Sequence, residues 1–538
     1  MVKKLTAIAI ALLATAAGSS AQSDQQVVQI RLPPPASPED QARCTAMKNV
    51  EIRPGVVITQ AQAMLAIPDG RRITLAPGQY LSTGLPEHCL LEGMIDPRQG
   101  ADGKQYGIGF GITLPKEWNG RFLLQGGGGL NGTFAAPVGP TAAGTKSALS
   151  RGFAVIAHDS GHRGEVFDAS FMTDQRAALD FAETAVLTVT LVGKALTERY
   201  YGKPIAHSYM TGCSTGGREG MLASQRYPEL FDGIILGAPA MRAGDSNLGV
   251  EYTQVLFNAA APKDADGKPN MSQILTAADR KTILDGVLNQ CDALDGLKDG
   301  MIENVAQCDF KPRALQCSGA KTAGCLSAGQ VDALEKGFAG PFDKAGFPIY
   351  APVAFDTGIG ASPVGYLPTG SPGPFGPPSS ATTIDLDARI HAVRQDAAGR
   401  LTDTNYWTDL DAFLGRGGKM IFYHGVSDFW FSPLATWDYF QRASETNGPS
   451  FTDASRFYMV PGMLHCGGGD AFEQFDLLGP LVDWVEHGQA PERPTASRTD
   501  GSASRPLCPY PSHAHYTGGD RTKPASFECR APDKAIGV

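Results

Sequence analysis

The chain has 538 residues, and its 46 basic and 55 acidic side chains give a formal net charge of −9. Neither sign runs on for long, so no electrostatic footprint for nucleic acid or an anionic membrane exists, and a small or neutral molecule is the expected partner. The length leaves room for two or more domains' worth of core, and 64 glycines with 38 prolines imply many loops.

The first residues read as an export signal. Lys3 and Lys4 precede a short apolar run over 5–17, and Ser19-x-Ala21 is a small-residue cleavage site. Residues 1–21 are therefore expected to be a signal peptide, and the protein to be secreted or periplasmic. A membrane anchor would need a longer apolar span, and no cysteine stands near the cleavage site to take a lipid.

After a Pro-rich lead-in over 25–40, the alternation of residues 106–114 predicts a strand, and 121–125 a buried strand. Four glycines, 126–129, and Asn131-Gly132 follow directly. A glycine run at a strand end lets backbone N–H groups approach a ligand oxygen closely. Residues 153–157 form another apolar strand, 175–201 a helix by apolar spacing, 205–210 a strand, 219–226 a helix and 233–237 a strand. Alternating β and α elements predict a parallel sheet covered by helices on both faces.

The turn between the strand over 205–210 and the next helix is Gly212-Cys213-Ser214-Thr215-Gly216, the one G-x-S-x-G of the chain. Strand, sharp glycine-flanked turn and helix together make the setting of a nucleophile elbow, with Ser214 at the helix start. This points to an α/β-hydrolase fold. The alternation stops near Ala240, and residues 241–405, weakly periodic and Gly/Pro/Ser-rich over 358–380, are read as a large inserted lid domain. Residues 22–240 and 406–538 would then form the catalytic domain.

A serine hydroxyl needs a base, and the base an orienting carboxylate, here expected in the order Ser, Asp, His at later strand ends. The strand over 419–423 runs into His424-Gly425-Val426-Ser427-Asp428, and that over 456–460 into Pro461-Gly462-Met463-Leu464-His465-Cys466. Asp428 is the candidate acid and His465 the candidate base. His424 is a rival base, read instead as lining the substrate pocket, and Asp159 is a rival acid that precedes the serine. A final helix is expected over 472–487. The Thr215 N–H and one from the glycine loop, with Gly129 and Gly132 the candidates, would hold an oxyanion.

Ten cysteines in an exported chain suggest up to five disulfides rather than a zinc site, for which no C-x-x-C spacing exists. Local closeness favours Cys291 with Cys308, Cys317 with Cys325 and Cys508 with Cys529. Cys44, Cys89, Cys213 and Cys466 remain. Should Ser214 and His465 meet, Cys213 and Cys466 come within bonding distance, which leaves Cys44 with Cys89.

The segments Gly212-Cys213-Ser214-Thr215-Gly216-Gly217-Arg218-Glu219-Gly220, His424-Gly425-x-Ser427-Asp428 and Pro461-Gly462-Met463-x-His465-Cys466-Gly467-Gly468-Gly469 together resemble the tannase/feruloyl esterase family. The resemblance implies a serine esterase of aromatic acid esters, hydroxycinnamoyl (feruloyl-type) esters first. Galloyl esters or the mono(hydroxyethyl) ester of terephthalate are the alternatives, and a non-catalytic secreted binding protein is a remote one. It also implies a structural Ca2+ in the lid, held by the side chains of Asp292, Asp295 and Asp299 and the carbonyls of Leu297 and Met301. The same cluster of aspartates and glycines could instead be a solvated turn. Among aromatics that could contact the substrate ring are Tyr406, Trp407, Phe429, Trp430 and Phe431. Arg389, Arg394 and Arg416 are candidates to meet a distal carboxylate.

Overall fold

The computed structural model describes residues 37–70, 73–76, 79–81, 83–270, 273–360 and 380–533. The expected signal peptide and most of the Gly/Pro/Ser-rich span lie outside them. Nine strands form one sheet: β1 (Val56–Met64), β2 (His88–Gln99), β3 (Gln105–Pro115), β4 (Arg121–Gln125), β5 (Ala154–His158), β6 (His207–Cys213), β7 (Gly233–Gly237), β8 (Lys419–Gly425) and β9 (Ser455–Val460). Their spatial order is β1-β2-β3-β5-β4-β6-β7-β8-β9. The β1–β2, β2–β3 and β3–β5 pairs are antiparallel, and every pair from β5 to β9 is parallel. This is the α/β-hydrolase fold with an additional antiparallel edge.

The parallel strands read as continuous apolar runs because both faces are covered. Phe122, Leu124, Ile156, Ile234, Leu236 and Phe422 join one buried cluster with helices α1 (Ala185–Tyr201), α2 (Thr215–Arg226) and α7 (Pro433–Asn447). The alternate residues Leu123, Val155, Ile235, Ile421 and Tyr458 join a second cluster with Leu478, Leu481 and Trp484 of α8 (Leu478–His487). Carboxyl ends of all six parallel strands consequently face one edge, and the loops that carry chemistry gather there.

Between β7 and β8 come α3 (Ala243–Ala260), α4 (Ala277–Cys291), α5 (Ala328–Ala339) and α6 (Leu386–Gln395). The first three share a buried cluster that includes Phe257, Ile283, Val287, Leu334 and Phe338. The region is thus more helical than its weak periodicity suggested. On α4 the buried residues are Asp279, Ile283, Val287 and Cys291, a stripe too narrow, and begun by a carboxylate, to stand out from the polar residues around it. Thr276 and Asp279 form a reciprocal capping box that sets where this helix begins.

Two other expectations are corrected. The helix over 175–201 is interrupted by a π-helical segment, Asp180–Thr184. The final helix starts at Leu478, because Gln474–Phe475 pairs as a strand with residues 496–497. Strands β1 and β2 were not anticipated; β2 has a regular alternation of buried and half-buried residues, but polar and proline residues obscure it.

Arg121 on β4 donates twice to Glu486 on α8, at 2.7 and 2.6 Å, and the Tyr209 hydroxyl on β6 donates to the same carboxylate at 2.7 Å. These bonds, Arg121's first, bring Glu486 down to about 2. Its stabilising contribution is complete above the ordinary glutamate pKa of about 4.3 and is lost as pH falls through about 2. Glu486→Gln should therefore lower unfolding free energy by about 1 kcal/mol at pH 7. Denaturant titrations at pH 7 and near pH 2 should show the difference between variant and parent shrinking with acid.

Candidate active site

β6 ends at Cys213 and α2 starts at Thr215, leaving Ser214 alone at the turn with φ 62° and ψ −120°. A non-glycine residue in that region costs about 1–3 kcal/mol and is held only by its surroundings. The surroundings here are close backbone contacts. A Cβ on Gly212 would lie 2.4 Å from the carbonyl carbon of Gly216, and one on Gly216 would lie 2.8 Å from the Gly127 oxygen. Ser214 N–H donates to Gly237 O at 3.0 Å, which fixes the turn to the end of β7.

Asp428 follows β8 and is fully buried. Its Oδ2 accepts from His465 Nδ1 at 2.6 Å and His424 Nε2 at 3.1 Å, and its Oδ1 from the Trp430 and Phe431 N–H groups at 2.9 and 3.0 Å. Burial alone would raise its pKa; the His465 charge and the hydrogen bonds from both histidines outweigh it and keep the carboxylate well below the usual range. His465 Nε2 is buried and has no hydrogen-bond partner among the described residues. The chain neighbours of Ser214 and His465 are joined: Cys213 and Cys466 form a disulfide with Cα atoms 5.9 Å apart. One imidazole nitrogen is thus committed to the acid and the other is free, on a loop bonded to the serine turn.

The family model described as tannase and feruloyl esterase matches residues 92–358 and 381–530. The chain belongs to the tannase and feruloyl esterase family. It is 40% identical to mono(2-hydroxyethyl) terephthalate hydrolase of Piscinibacter sakaiensis, over 85% of this chain and 87% of that one. It is 32% identical to a probable feruloyl esterase of Arthroderma benhamiae, over 78% and 81% of the two chains. Among solved structures, feruloyl esterase B of Aspergillus oryzae superposes with a TM-score of 0.74 at 25% identity, covering 91% of this chain and 100% of that one. The tannin acyl hydrolase of Aspergillus niger shares the fold, with a TM-score of 0.67 at 23% identity over 91% and 94% of the chains. As a member of this family the protein is a carboxylic ester hydrolase.

The tannase/feruloyl esterase glycine loop packs against the start of α2. Gly216 N–H donates to Gly127 O at 2.9 Å, and the Thr215 hydroxyl bonds the Gly129 carbonyl. Among the described residues the N–H groups of Thr215, Gly128 and Gly129 donate to no acceptor in the chain. Gly132 is a correction: its N–H donates to Asp159 O at 3.0 Å, so it has none to offer an oxyanion. Asp159 itself accepts from the Gly109 and Gly161 N–H groups at 2.8 and 3.0 Å and is raised to about 6 by burial, a backbone clamp rather than a rival acid.

His424 is a second correction. It is fully buried and does not line a pocket; Nε2 also reaches Phe431 O at 2.8 Å, and Nδ1 lies 3.0 Å from Thr436 Oγ1. A carbonyl only accepts, so Nε2 carries a hydrogen and donates toward Asp428. Phe429 turns into the cluster of the inserted helices, 6.4 Å from the Phe338 ring. Trp430 and Phe431 do flank the base, with ring centroids 5.5 and 5.3 Å from His465, and Phe167 lies 6.0 Å from Trp430. Tyr406 and Trp407 are exposed, and the Trp407 carbonyl binds Gln225. Gln225 is eleven residues beyond Ser214, about 16 Å along α2. Arg389 pairs with Glu251, and Arg416 precedes the amino end of β8, away from the site.

All ten cysteines are paired: besides Cys213–Cys466, the bonds are Cys44–Cys89, Cys291–Cys308, Cys317–Cys325 and Cys508–Cys529. The acidic loop behind Cys291 offers only oxygen donors, the chemistry a hard cation takes. Burial first, and the neighbouring carboxylates next, push Asp295 up to about 7; burial and Asp295 push Glu303 up to about 8. Asp292 accepts from the Asp299 and Gly300 N–H groups, Asp295 from those of Leu297 and Glu303, and Asp299 pairs with Arg505 at 2.6 Å. With their oxygens turned this way, no three acidic, histidine or cysteine side chains converge at metal distance among the described residues.

The disulfide between the two loops generates a prediction. Cys213 and Cys466 are 253 residues apart, and closing so long a loop stabilises by roughly 5 kcal/mol in the chain-entropy account. The double variant Cys213→Ala/Cys466→Ala should lose about 10²-fold in kcat/KM for a para-nitrophenyl ester. Circular dichroism at a temperature below its lowered Tm should show the secondary structure retained.

Proposed function

We propose that this protein is an exported serine esterase that cleaves esters of aromatic acids, with hydroxycinnamoyl (feruloyl-type) esters as the first substrate class. The observation that carries the reading is the Asp428–His465 bond at 2.6 Å with His465 Nε2 left free, on a loop disulfide-bonded beside Ser214. The tilted rings of Trp430, Phe431 and Phe167 support an aromatic acyl group. Five disulfides with no free cysteine among the described residues support an oxidising destination. No helix among the described residues is long and apolar enough to cross a membrane.

In this mechanism His465 Nε2 takes the proton of Ser214 as the hydroxyl oxygen attacks the ester carbon. The bond between them forms in the substrate complex; such contacts are often incomplete in the free enzyme. The Thr215 N–H and that of Gly128 or Gly129 receive the oxyanion. Asp428, its charge secured by four donors, stabilises the imidazolium. His465 then protonates the departing alcohol, and water, deprotonated by the same nitrogen, releases the acid from Ser214.

Ser214→Ala should lower kcat/KM for methyl ferulate by about 10⁴-fold or more; wild-type turnover in that variant would remove the serine mechanism. The 40% identity to the terephthalate monoester hydrolase favours a second reading in which the acyl group bears a carboxylate. Comparing kcat/KM for methyl ferulate, methyl gallate and mono(2-hydroxyethyl) terephthalate separates the readings, and methyl ferulate is expected to lead.

The same proposal includes a structural Ca2+ held by Asp292, Asp295 and Asp299 through side chains and by Leu297 and Met301 through carbonyls. Its support is the oxygen-only donor set and the crowding of buried carboxyls that a cation would relieve. The Cys291–Cys308 bond closes this loop. Bound there, the ion would order the loop and take no part at Ser214. Chelation should lower Tm and calcium should restore it; an unchanged Tm, with no calcium by elemental analysis of the purified protein, would remove the ion from the account.

A further inference from the structure

A fully buried carboxylate that the serine mechanism does not use sits five residues past Ser214. Glu219 is inaccessible to solvent, and its Oε2 accepts the Gly127 N–H at 2.9 Å. The Gly127 carbonyl in turn accepts the Gly216 N–H at 2.9 Å, so the two peptide groups that flank the Gly127 Cα are both bonded to α2. The remaining partners of Glu219 lead back to the same loop. Ser160 Oγ donates to its Oε1 at 3.4 Å, and Asn131 Nδ2 donates to Ser160 Oγ. His158 Nε2 lies 3.7 Å from Oε2. His158 Nδ1 accepts the Ser160 N–H at 3.2 Å, while its Nε2 has no hydrogen-bond partner among the described residues.

We propose that Glu219 is a positioning residue for ester hydrolysis, holding residues 127–131 against the start of α2 so that the free N–H groups of Gly128 and Gly129 stand beside that of Thr215. The proposal rests on reading Ser214 as the nucleophile and this loop as the oxyanion loop. Two features make a carboxylate the fitting group. The site is closed to water, so each donor that faces Glu219 must be satisfied by the protein, and a carboxylate accepts at both oxygens where an amide accepts at one. Its charge is offset nearby: Arg218, also buried, is the adjacent residue, and burial's tendency to raise the pKa of Glu219 is outweighed by His158, Arg218 and the Gly127 N–H, so it stays ionised. The loop has little room to adapt without this contact, since a Cβ on Gly126 would lie 2.7 Å from Gly216 Cα.

The test is a series at Glu219 and Ser160 in the full-length protein, with para-nitrophenyl acetate and methyl ferulate. Glu219→Gln should lower kcat about 10-fold and Glu219→Ala about 10²-fold, less than or equal to the loss of a whole oxyanion donor, with KM within about threefold of the parent. Ser160→Ala, which leaves the carboxylate in place, should lower kcat about threefold. Inhibition by a phenylboronic acid, whose adduct with Ser214 is tetrahedral, should weaken in step with kcat. Inhibition by ferulic acid, the planar product, should not. A merely structural role would move both inhibitors or neither. Parent-like kcat in folded Glu219→Gln and Glu219→Ala, or a loss carried by KM, would overturn the proposal. If the Glu219 variants do not fold, Ser160→Ala and Asn131→Ala decide it by the same two inhibitors. Failure of the serine reading shows separately, as activity surviving in Ser214→Ala.

Discussion

A carboxylate cut off from water must find its donors inside the protein, and Asp428 finds four. Two are backbone N–H groups of its own loop, one is the histidine next to last in the strand before it, and one is the histidine of the next strand's loop. The last bond makes the site: it orients His465 and leaves the far nitrogen free. The loop is braced from the region between β7 and β8 as well. Asp356, also buried, accepts from Ser427 Oγ at 2.6 Å and from the Gly462 N–H at 2.7 Å, so one side chain ties the acid loop to the base loop. Segments far apart in sequence thereby converge on a single anion.

The serine side follows the same logic with a different economy. Ser214 occupies a backbone conformation that its residue type disfavours, and α2 begins at once behind it. Glycine backbone from three segments, 126–127, 212–217 and 237, packs at distances that no side chain could share. The charges placed around this packing, Arg218 and Glu219, are fully enclosed, and Arg218 donates to the carbonyls of Phe181 and Ala182 at 2.9 Å. Those carbonyls lie in the π-helical segment. Buried charges are costly unless each is paired; here every pairing also fixes a loop at the site.

Much of this was legible in the sequence, and the reasons differ by element. Continuous apolar runs marked the inner strands because both their faces are covered, and glycines about Ser214 marked the elbow because only they permit the approach. The ends of two later apolar strands pointed to Asp428 and His465, and five Cys–Cys pairs agreed with local closeness and with the meeting of the Ser and His loops. The inserted helices were obscured because their buried stripes are narrow. His424 and Gly132 were misread for one shared reason: sequence places a polar group near a site but does not say which partner takes it.

Composition, periodicity and motif spacing by themselves determined the fold class, the serine turn and the order of the residues that follow it, since these depend on local backbone geometry and on which faces are apolar. Tertiary structure alone decided the hydrogen-bond assignments. It turned His424 inward onto Asp428, gave the Gly132 N–H to Asp159 and put Glu219 under the glycine loop. Such choices depend on three-dimensional enclosure, because only where water is excluded must each donor and acceptor find one particular partner.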